Sequence, residues 1–240
     1  MDLGAADVAV AFVAVLAGAA VQGSIGFGMN LVAVPALALV EPAALPAVAV
    51  MLGMPLGASM AMHEHAHVDR RGVAWIFAGR IPGTVGGALI VTSVTTGTLS
   101  VLIGAAVLLA VATSVAAPPV PLTRATMVGA GVASGVTGTA AGIGGPPVAL
   151  LYQHQRGPVI RSTLAATFFV GTILSVATLA IAGEVTLAHV AFAAGLTPAA
   201  ILGARASRRF ARVVDAGLLR PAVLVFAVVS AIVVIVNGLR

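Results

Sequence analysis

The sequence predicts an all-α polytopic membrane protein that consists of two inverted repeats, about residues 1–116 and 117–240, in a single transmembrane domain. Hydrophobic residues make up 60% of the 240 residues, charged residues make up 8%, and the mean hydropathy is +1.14. No soluble class of protein has this composition. Apolar runs long enough to cross a membrane, about 20 residues each, recur along nearly the whole chain. Two glycine-rich segments interrupt these runs at matching positions of the two halves.

The two interruptions, called the first and second break below, cover residues 22–35 and 138–147. Glycine lacks a Cβ, so the backbone can unwind there and bring its N–H and C=O groups against a ligand. Unsatisfied backbone groups are costly in hydrocarbon, and paired interruptions of this kind occur where they line a cavity or are buried in protein. We therefore expect each repeat to open with a Gly-rich broken helical hairpin that contributes to a central binding site.

Three transmembrane helices are expected after each hairpin. The hairpin legs of the first half, 8–21 and 31–40, end at Glu41-Pro42, and polar or proline-containing segments separate the helices that follow. The second leg of the second hairpin is a half-helix, because about ten helical residues rise only about 15 Å, half of a bilayer. The other predicted helices are 43–62, 73–94 and 99–116 in the first half, and in the second half 124 to the break, the leg 148–154, 159–181, 186–206 and 217–236.

An internal repeat is indicated by one gapless offset of 116 residues. Glycine is abundant in this chain, so single matches also arise by accident. A proline pair and the two breaks share this same offset, which favours a true repeat. The matched pairs are Gly26 and Gly142, Gly28 and Gly144, Ser59 and Ser175, Gly79 and Gly195, Pro82 and Pro198, and Gly87 and Gly203.

The arginines predict how the halves are oriented, since all twelve basic residues are arginine. If the segments 63–72, 117–124, 154–161 and 205–216 share one side, the opposite side keeps only Arg240 and several acidic residues. The positive-inside rule then places the arginine-rich side in the cytoplasm and both termini outside, so that equivalent loops lie on opposite sides and the repeats are inverted. The arginines at that face are Arg70, Arg71, Arg124, Arg156, Arg161, Arg205, Arg208, Arg209, Arg212 and Arg220.

Short arginine groups between apolar runs are typical of topology signals, so no nucleic acid is expected as a partner despite the pI of about 11.5. The lipid bilayer is the expected environment. The N-terminal residues include Asp2 and Asp7 and no basic residue. A cleaved signal peptide would carry a basic region there, so we expect the first apolar run to remain a membrane segment.

These motifs resemble the sulfite exporter TauE/SafE family of membrane permeases over nearly the whole chain. The resemblance is carried by Gly23-Ser-Ile-Gly-Phe-Gly28 with Pro35 behind it, by the segment 138–146, and by Pro82, Gly86-Gly87 and Gly203 later in each half. It implies export of small sulfur oxyanions, sulfite or short organosulfonates, across the bacterial inner membrane. With paired breaks, this predicts a secondary transporter that works by alternating access.

The predicted substrate is a small anion, on physical grounds that do not depend on the resemblance. The half-helices that leave the two breaks would point their N-termini into the protein, and each N-terminus carries about half a positive charge. Polar side chains beside the breaks add donors, although a hydroxyl such as that of Ser24 also bonds its own helix. The predicted substrate-binding residues are Gln22, Ser24, Gly26, Gly28, Asn30, Arg80, Thr139, Gly142, Gly144 and Gly145.

Arg80 is the one charge well inside a predicted span. It lies nine residues beyond Arg71, about 13 Å deeper along a helix. A charge at that depth normally faces an aqueous cavity or a partner. The alternative is that its long side chain snorkels to the headgroups.

Two other classes of function compete with an anion carrier. An intramembrane enzyme would need a nucleophile and base or paired carboxylates, and neither Gly-x-Ser-x-Gly nor His-Glu-x-x-His is present. A divalent-metal permease would need ligands inside the spans, whereas His63, His65 and His67 lie in a polar loop. No catalytic residue, resident metal or cofactor is expected, and the sequence leaves open a homodimer.

Overall fold

All described secondary structure is helical, so the all-α prediction is confirmed. The computed structural model describes residues 4–25, 28–63, 65–116, 120–214 and 219–239. Among these residues, five helices are long and apolar enough to cross a membrane. A 3₁₀ turn covers Pro42–Ala44. The α-helices are α1 Ala5–Ile25, α2 Met29–Val40, α3 Ala47–His63, α4 Arg70–Ser93, α5 Thr96–Ala116, α6 Arg124–Ala140, α7 Gly145–Tyr152, α8 Gly157–Ile181, α9 Leu187–Val214 and α10 Leu219–Gly238.

Capping residues define the starts of α4 and α6. Helix α4 begins three residues before the apolar run used for prediction, and α6 begins at 124 as predicted. Asp69 precedes α4, and its Oδ1 accepts a hydrogen bond of 2.9 Å from the Gly72 N–H. Thr123 and Thr126 form a capping box at the start of α6. Capping side chains satisfy N–H groups that have no partner within the helix, so the helix extends to the cap.

The half-helix α7 begins at Gly145 rather than at 148. Pro146 and Pro147 occupy its first turn. Proline fits there because its φ is suited to a helix and no N–H is required of the first turn. The proline pair that reads as part of the second break is therefore helical.

Helices α4 and α6 lie side by side in the same direction and approach very closely. Gly79 faces the backbone of Val128, and two turns further on Gly87 faces that of Val136. A Cβ added to Gly87 would lie 2.7 Å from the Val136 carbonyl oxygen. Small residues allow this backbone approach, which is the usual way in which membrane helices associate.

Helix α9 packs against α1 in a similar manner. Gly203 faces the backbone of Leu16, and further along both helices Gly23 faces the side chain of Ser207. These two helices are therefore also parallel. Ser207 is buried, and its Oγ donates to the Ala204 carbonyl oxygen over 2.7 Å.

Two further helix pairs are antiparallel. In the α3–α8 pair and in the α5–α10 pair, residue numbers rise along one helix as they fall along its neighbour. The residues that lie opposite each other are Gly53 and Thr172, and Gly57 and Phe169, in the first pair, and Gly97 and Gly238, and Gly104 and Ala231, in the second.

The centre of the protein is the half-helix α2. Between Met29 and Ala38 every residue of α2 except Asn30 is buried. Leu37 of α2 packs in one core with Val15 of α1 and Leu52 of α3, and all three are fully buried. The short helix and its break are thus enclosed by protein, where backbone interruptions are tolerated in a membrane.

Candidate functional site

Both breaks contain a glycine with a positive φ. Gly28, between α1 and α2, has φ +116°, and Gly142, between α6 and α7, has φ +71°. Residues with a Cβ rarely adopt this left-handed region, so both turns require glycine. The helices that leave the breaks begin at Met29 and Gly145, which are 116 residues apart.

Asn30 connects the two breaks directly. Its Nδ2 donates to the carbonyl oxygen of Gly142 over 2.6 Å and to that of Ala49 over 3.2 Å. Both amide hydrogens are therefore used within the protein. The Oδ1 atom is buried without a partner among the described residues. Asn30 thus acts as a bridge between the hairpins, in addition to lying beside the site.

Gln22 caps the start of α2. Its Oε1 accepts a hydrogen bond of 3.0 Å from the Met29 N–H, one of the donors that the first turn leaves free. Its Nε2 lies 3.8 Å from the sulfur of Met60, which is a weak acceptor. At α7 the N-cap is Gly144, and Pro146 and Pro147 in the first turn carry no N–H. The two half-helices therefore differ in the number of N–H groups that their first turns present.

Arg80 lies inside the protein and does not snorkel, since only 2% of its surface is exposed. Its Nη1 donates to Ser134 Oγ over 2.5 Å, and Ser134 Oγ donates to the Gly144 carbonyl oxygen over 2.6 Å. The guanidinium also lies against Gly171 of α8, where a Cβ would collide with it. Its Nε is buried without a hydrogen-bond partner, and no carboxylate of the described residues pairs with it. The guanidinium of Arg80 thus places a positive charge at the second break, and its Nε–H is a hydrogen-bond donor without a partner among the described residues.

A cavity of about 60 Å³ lies between the two breaks. Seven of the predicted site residues line it, namely Gln22, Gly28, Asn30, Arg80, Gly142, Gly144 and Gly145. The other lining residues are Met29, Leu31, Val50, Gly53, Gly138, Ile143, Pro146, Phe168 and Thr172. None of the described residues in this lining is acidic, so the arginine gives this part of the cavity a positive charge.

The remaining three predicted site residues are placed differently. Ser24 donates to the Ala20 carbonyl oxygen of its own helix over 2.9 Å, which is the alternative that the sequence left open. Thr139 is fully buried and bonds Ser175 of α8 over 2.8 Å. Neither residue lines the cavity. Gly26 lies outside the described residues.

Sequence reasoning missed Ser134 and the residues that α3 and α8 contribute. Ser134 is one of many hydroxyl residues in apolar helices, and its two polar partners lie 54 and 10 residues away. Gly171 and Phe168 lie in an uninterrupted apolar helix, which offers no local signal. The sequence signal that could have found Ser134 is its place between Gly131 and Gly135. Glycine-rich helix faces pack against other helices, so a polar residue on such a face is expected to lie inside the protein.

Two of the polar loop histidines lie against main-chain carbonyl oxygens. His63 Nδ1 lies 2.7 Å from the Ser59 carbonyl oxygen, and His65 Nδ1 lies 3.0 Å from that of Met62. No group of three or more His, Asp or Glu residues that could hold a metal is found among the residues searched.

A comparison with protein families supports the resemblance that the two breaks suggested. The family model described as sulfite exporter TauE/SafE matches residues 10–234. The chain belongs to the TauE/SafE family. This is a family of membrane transporters for sulfur compounds, so the TauE/SafE chain described here is a multi-pass membrane protein. No curated protein and no solved structure matches it.

Proposed function

We propose that this protein is a secondary transporter, and specifically an exporter, of small sulfur oxyanions such as sulfite or short organosulfonates. The observation that carries the proposal is the buried Arg80 guanidinium, which faces a small cavity between the breaks and has no carboxylate partner in the described structure. A buried charge needs a counter-charge, and a substrate anion supplies it. The proposed ligands are the seven predicted residues that line the cavity.

The cavity size favours a very small anion. A buried water molecule needs about 10–15 Å³ of such volume, so a cavity of about 60 Å³ holds roughly four to six water-sized groups. Sulfite has four non-hydrogen atoms and fits within this space. An organosulfonate with two carbons requires the cavity to widen. Sulfite is therefore the preferred cargo in this proposal.

The inverted repeat is part of the proposal, with the whole chain as one transporter domain. At the offset of 116 residues, α3 corresponds to α8 and α5 corresponds to α10, and both pairs are antiparallel. The α4–α6 contact likewise corresponds to the α9–α1 contact, and both are parallel. Helices related by a two-fold axis in the membrane plane have this relation.

Alternating access follows from such a repeat. Each half presents one break to the same cavity, and rocking of one half against the other opens the cavity first to one side and then to the other. The contacts that must rearrange are the Asn30–Gly142 bridge and the Arg80–Ser134–Gly144 chain. Substrate binding at Arg80 competes with the second of these, which links occupancy to conformation.

The proposed location is the bacterial inner membrane, with the arginine-rich loops in the cytoplasm. Single cysteines placed at the two ends test this orientation. His65→Cys is expected to react with an impermeant thiol reagent only after cells are opened, and Ala182→Cys is expected to react in intact cells. Both positions are exposed in loops. Ser207 in the arginine-rich segment is unsuitable, because it is buried against Gly23. The reverse labelling pattern would invert the proposed topology and the direction of export.

Flux in proteoliposomes tests the function itself. Purified protein is reconstituted, and uptake of radiolabelled sulfite, sulfate, a two-carbon sulfonate and nickel is compared with that of empty vesicles. We expect sulfite flux to be fastest and the sulfonate to be slower. Transport of nickel without any of the anions would instead establish the metal-permease alternative. Absence of flux for all four, in vesicles where the protein is folded, would contradict the proposal.

A further inference from the structure

A second polar cavity lies at the end of the protein where α4 and α6 begin. Its volume is about 290 Å³, and its lining includes Arg71, Arg124, Trp75 and Asp69. The Arg124 guanidinium lies over the Trp75 ring, with Cζ 5.1 Å from the ring centroid. Both arginines are exposed. This cavity, called the basic pocket below, shares none of its described lining residues with the cavity between the breaks.

The basic pocket has a net positive charge. Among the described residues that line it, Asp69 is the one carboxylate, and both of its oxygens are engaged. Oδ1 accepts from the Gly72 N–H over 2.9 Å, and Oδ2 accepts from the Tyr152 hydroxyl over 2.8 Å. Two arginines thus line the space against one carboxylate of the described residues, and the N-termini of the parallel helices α4 and α6 add partial positive charge. A phosphate diester is suited to this environment, and tryptophan is common at the depth of lipid headgroups.

An apolar groove begins beside the basic pocket. It has a volume of about 360 Å³ and runs between α5, α6 and α7. The segment 120–127 contributes to both, with Val120 and Thr126 lining the groove and Leu122 and Arg124 lining the basic pocket. The α6 residues that line the groove extend from Thr126 to Thr137. These eleven helical steps rise about 17 Å. This length is close to the hydrocarbon thickness of one leaflet, about 15 Å.

We propose that the basic pocket and the groove together bind one anionic phospholipid, with its phosphate beside Arg71 and Arg124 and one acyl chain along α6. The charge selects an anionic headgroup, and the groove length fits a chain that starts at the headgroup and ends at mid-membrane. Gly129 leaves the groove open, because a Cβ there would meet nothing within 4 Å. Ile143 and Pro146 line both the groove and the cavity between the breaks, so the bound chain contacts the wall of the second break.

Native mass spectrometry of the purified full-length protein tests the proposal. The protein is incubated with phosphatidylglycerol or with phosphatidylcholine of the same acyl chains. One retained phosphatidylglycerol per chain is expected, with weaker retention of phosphatidylcholine. One arginine near a membrane phosphate contributes about a five-fold gain in binding, so Arg124→Gln is expected to weaken phosphatidylglycerol binding about five-fold and Arg71→Gln/Arg124→Gln roughly 30-fold.

Matched variants separate this site from general charge effects. Arg70→Gln removes the same charge at an exposed residue that does not line the basic pocket, and it is expected to bind phosphatidylglycerol like the parent. Arg124→Lys keeps the charge and is expected to retain most binding, which distinguishes loss of charge from misfolding. Gly129→Leu fills the groove and is expected to lower retention of both lipids.

Three results would overturn the proposal. Equal retention of the two lipids by the parent would show that charge does not select the headgroup. Full displacement of the bound lipid by inorganic phosphate would make the basic pocket a site for a soluble anion. A dimer mass that Gly129→Leu abolishes, without a change in lipid retention, would assign the groove to a second copy of the chain. None of these readouts depends on transport.

Discussion

Leucine at Gly144 or at Gly28 is expected to reduce sulfite flux to the background of empty vesicles, while the protein still inserts and purifies intact. Gly28 has φ +116°, and holding a leucine there costs about 1–3 kcal/mol or forces the first break into another conformation. At Gly144 a Cβ would lie 2.9 Å from the Ser134 carbonyl oxygen and 3.2 Å from Gly138 Cα. The rest of the leucine would compete for the cavity. Flux into proteoliposomes measures the loss, and size-exclusion chromatography reports whether each variant is folded.

The matched control is Gly195→Leu in α9, because a Cβ at Gly195 would meet nothing within 4 Å. We expect it to transport at the parental rate. Gly104 lies in an uninterrupted predicted span and is the natural choice from sequence, but a Cβ there would lie 2.5 Å from the Ile235 side chain. Parental flux from folded Gly144→Leu and Gly28→Leu would mean that the substrate does not bind between the breaks.

Replacing Arg80 by glutamine is expected to weaken the apparent affinity for sulfite about ten- to a hundredfold. A hydrogen bond to a charged group contributes about 1.5–3 kcal/mol, and the buried site excludes the water that would otherwise replace it. The KM for sulfite flux measures the effect. Added salt should also lower the flux of the variant less than that of the parent, since long-range attraction between the anion and Arg80 is lost.

Two variants give this experiment its controls. Arg80→Lys keeps the charge but loses the planar group that both bonds Ser134 and lies against Gly171, so an intermediate KM is expected. Arg156→Gln removes an exposed arginine before α8 and is expected to leave KM unchanged. If Arg80→Gln were folded and kept both the parental KM and the parental salt dependence, Arg80 would not be a substrate ligand.

Most of the helix order was predictable because the signals for it are local. Hydropathy marks the spans, and glycine-rich segments mark the breaks, so both hairpins are found where the sequence places them, with second legs that begin at Met29 and Gly145. The boundaries were less predictable. Asp69 and the proline pair after Gly145 each extend a helix three residues beyond the apolar run, because they satisfy the first turn without apolar side chains.

The site shows what local signals cannot supply. Seven of the ten predicted site residues line one cavity, since glycine-rich breaks in a membrane protein must be enclosed. Ser24 and Thr139 lie just as close to the breaks in sequence, yet each faces another part of the protein. The difference is the rotation of each helix about its axis, which no hydropathy pattern defines when a helix is apolar on all sides.

The sequence by itself determined that the chain crosses a membrane, that two glycine-rich breaks divide it, and that one arginine lies deep within a span. Only the tertiary structure decided that Asn30 bridges to Gly142, 112 residues away, and that Arg80 reaches Ser134. Both contacts depend on which helix faces meet. In the case of Arg80, glycines on α4 and α6 bring the two backbones into contact. This contact fixes the rotation of α4 about its own axis, and at that rotation the arginine side chain points into the cavity.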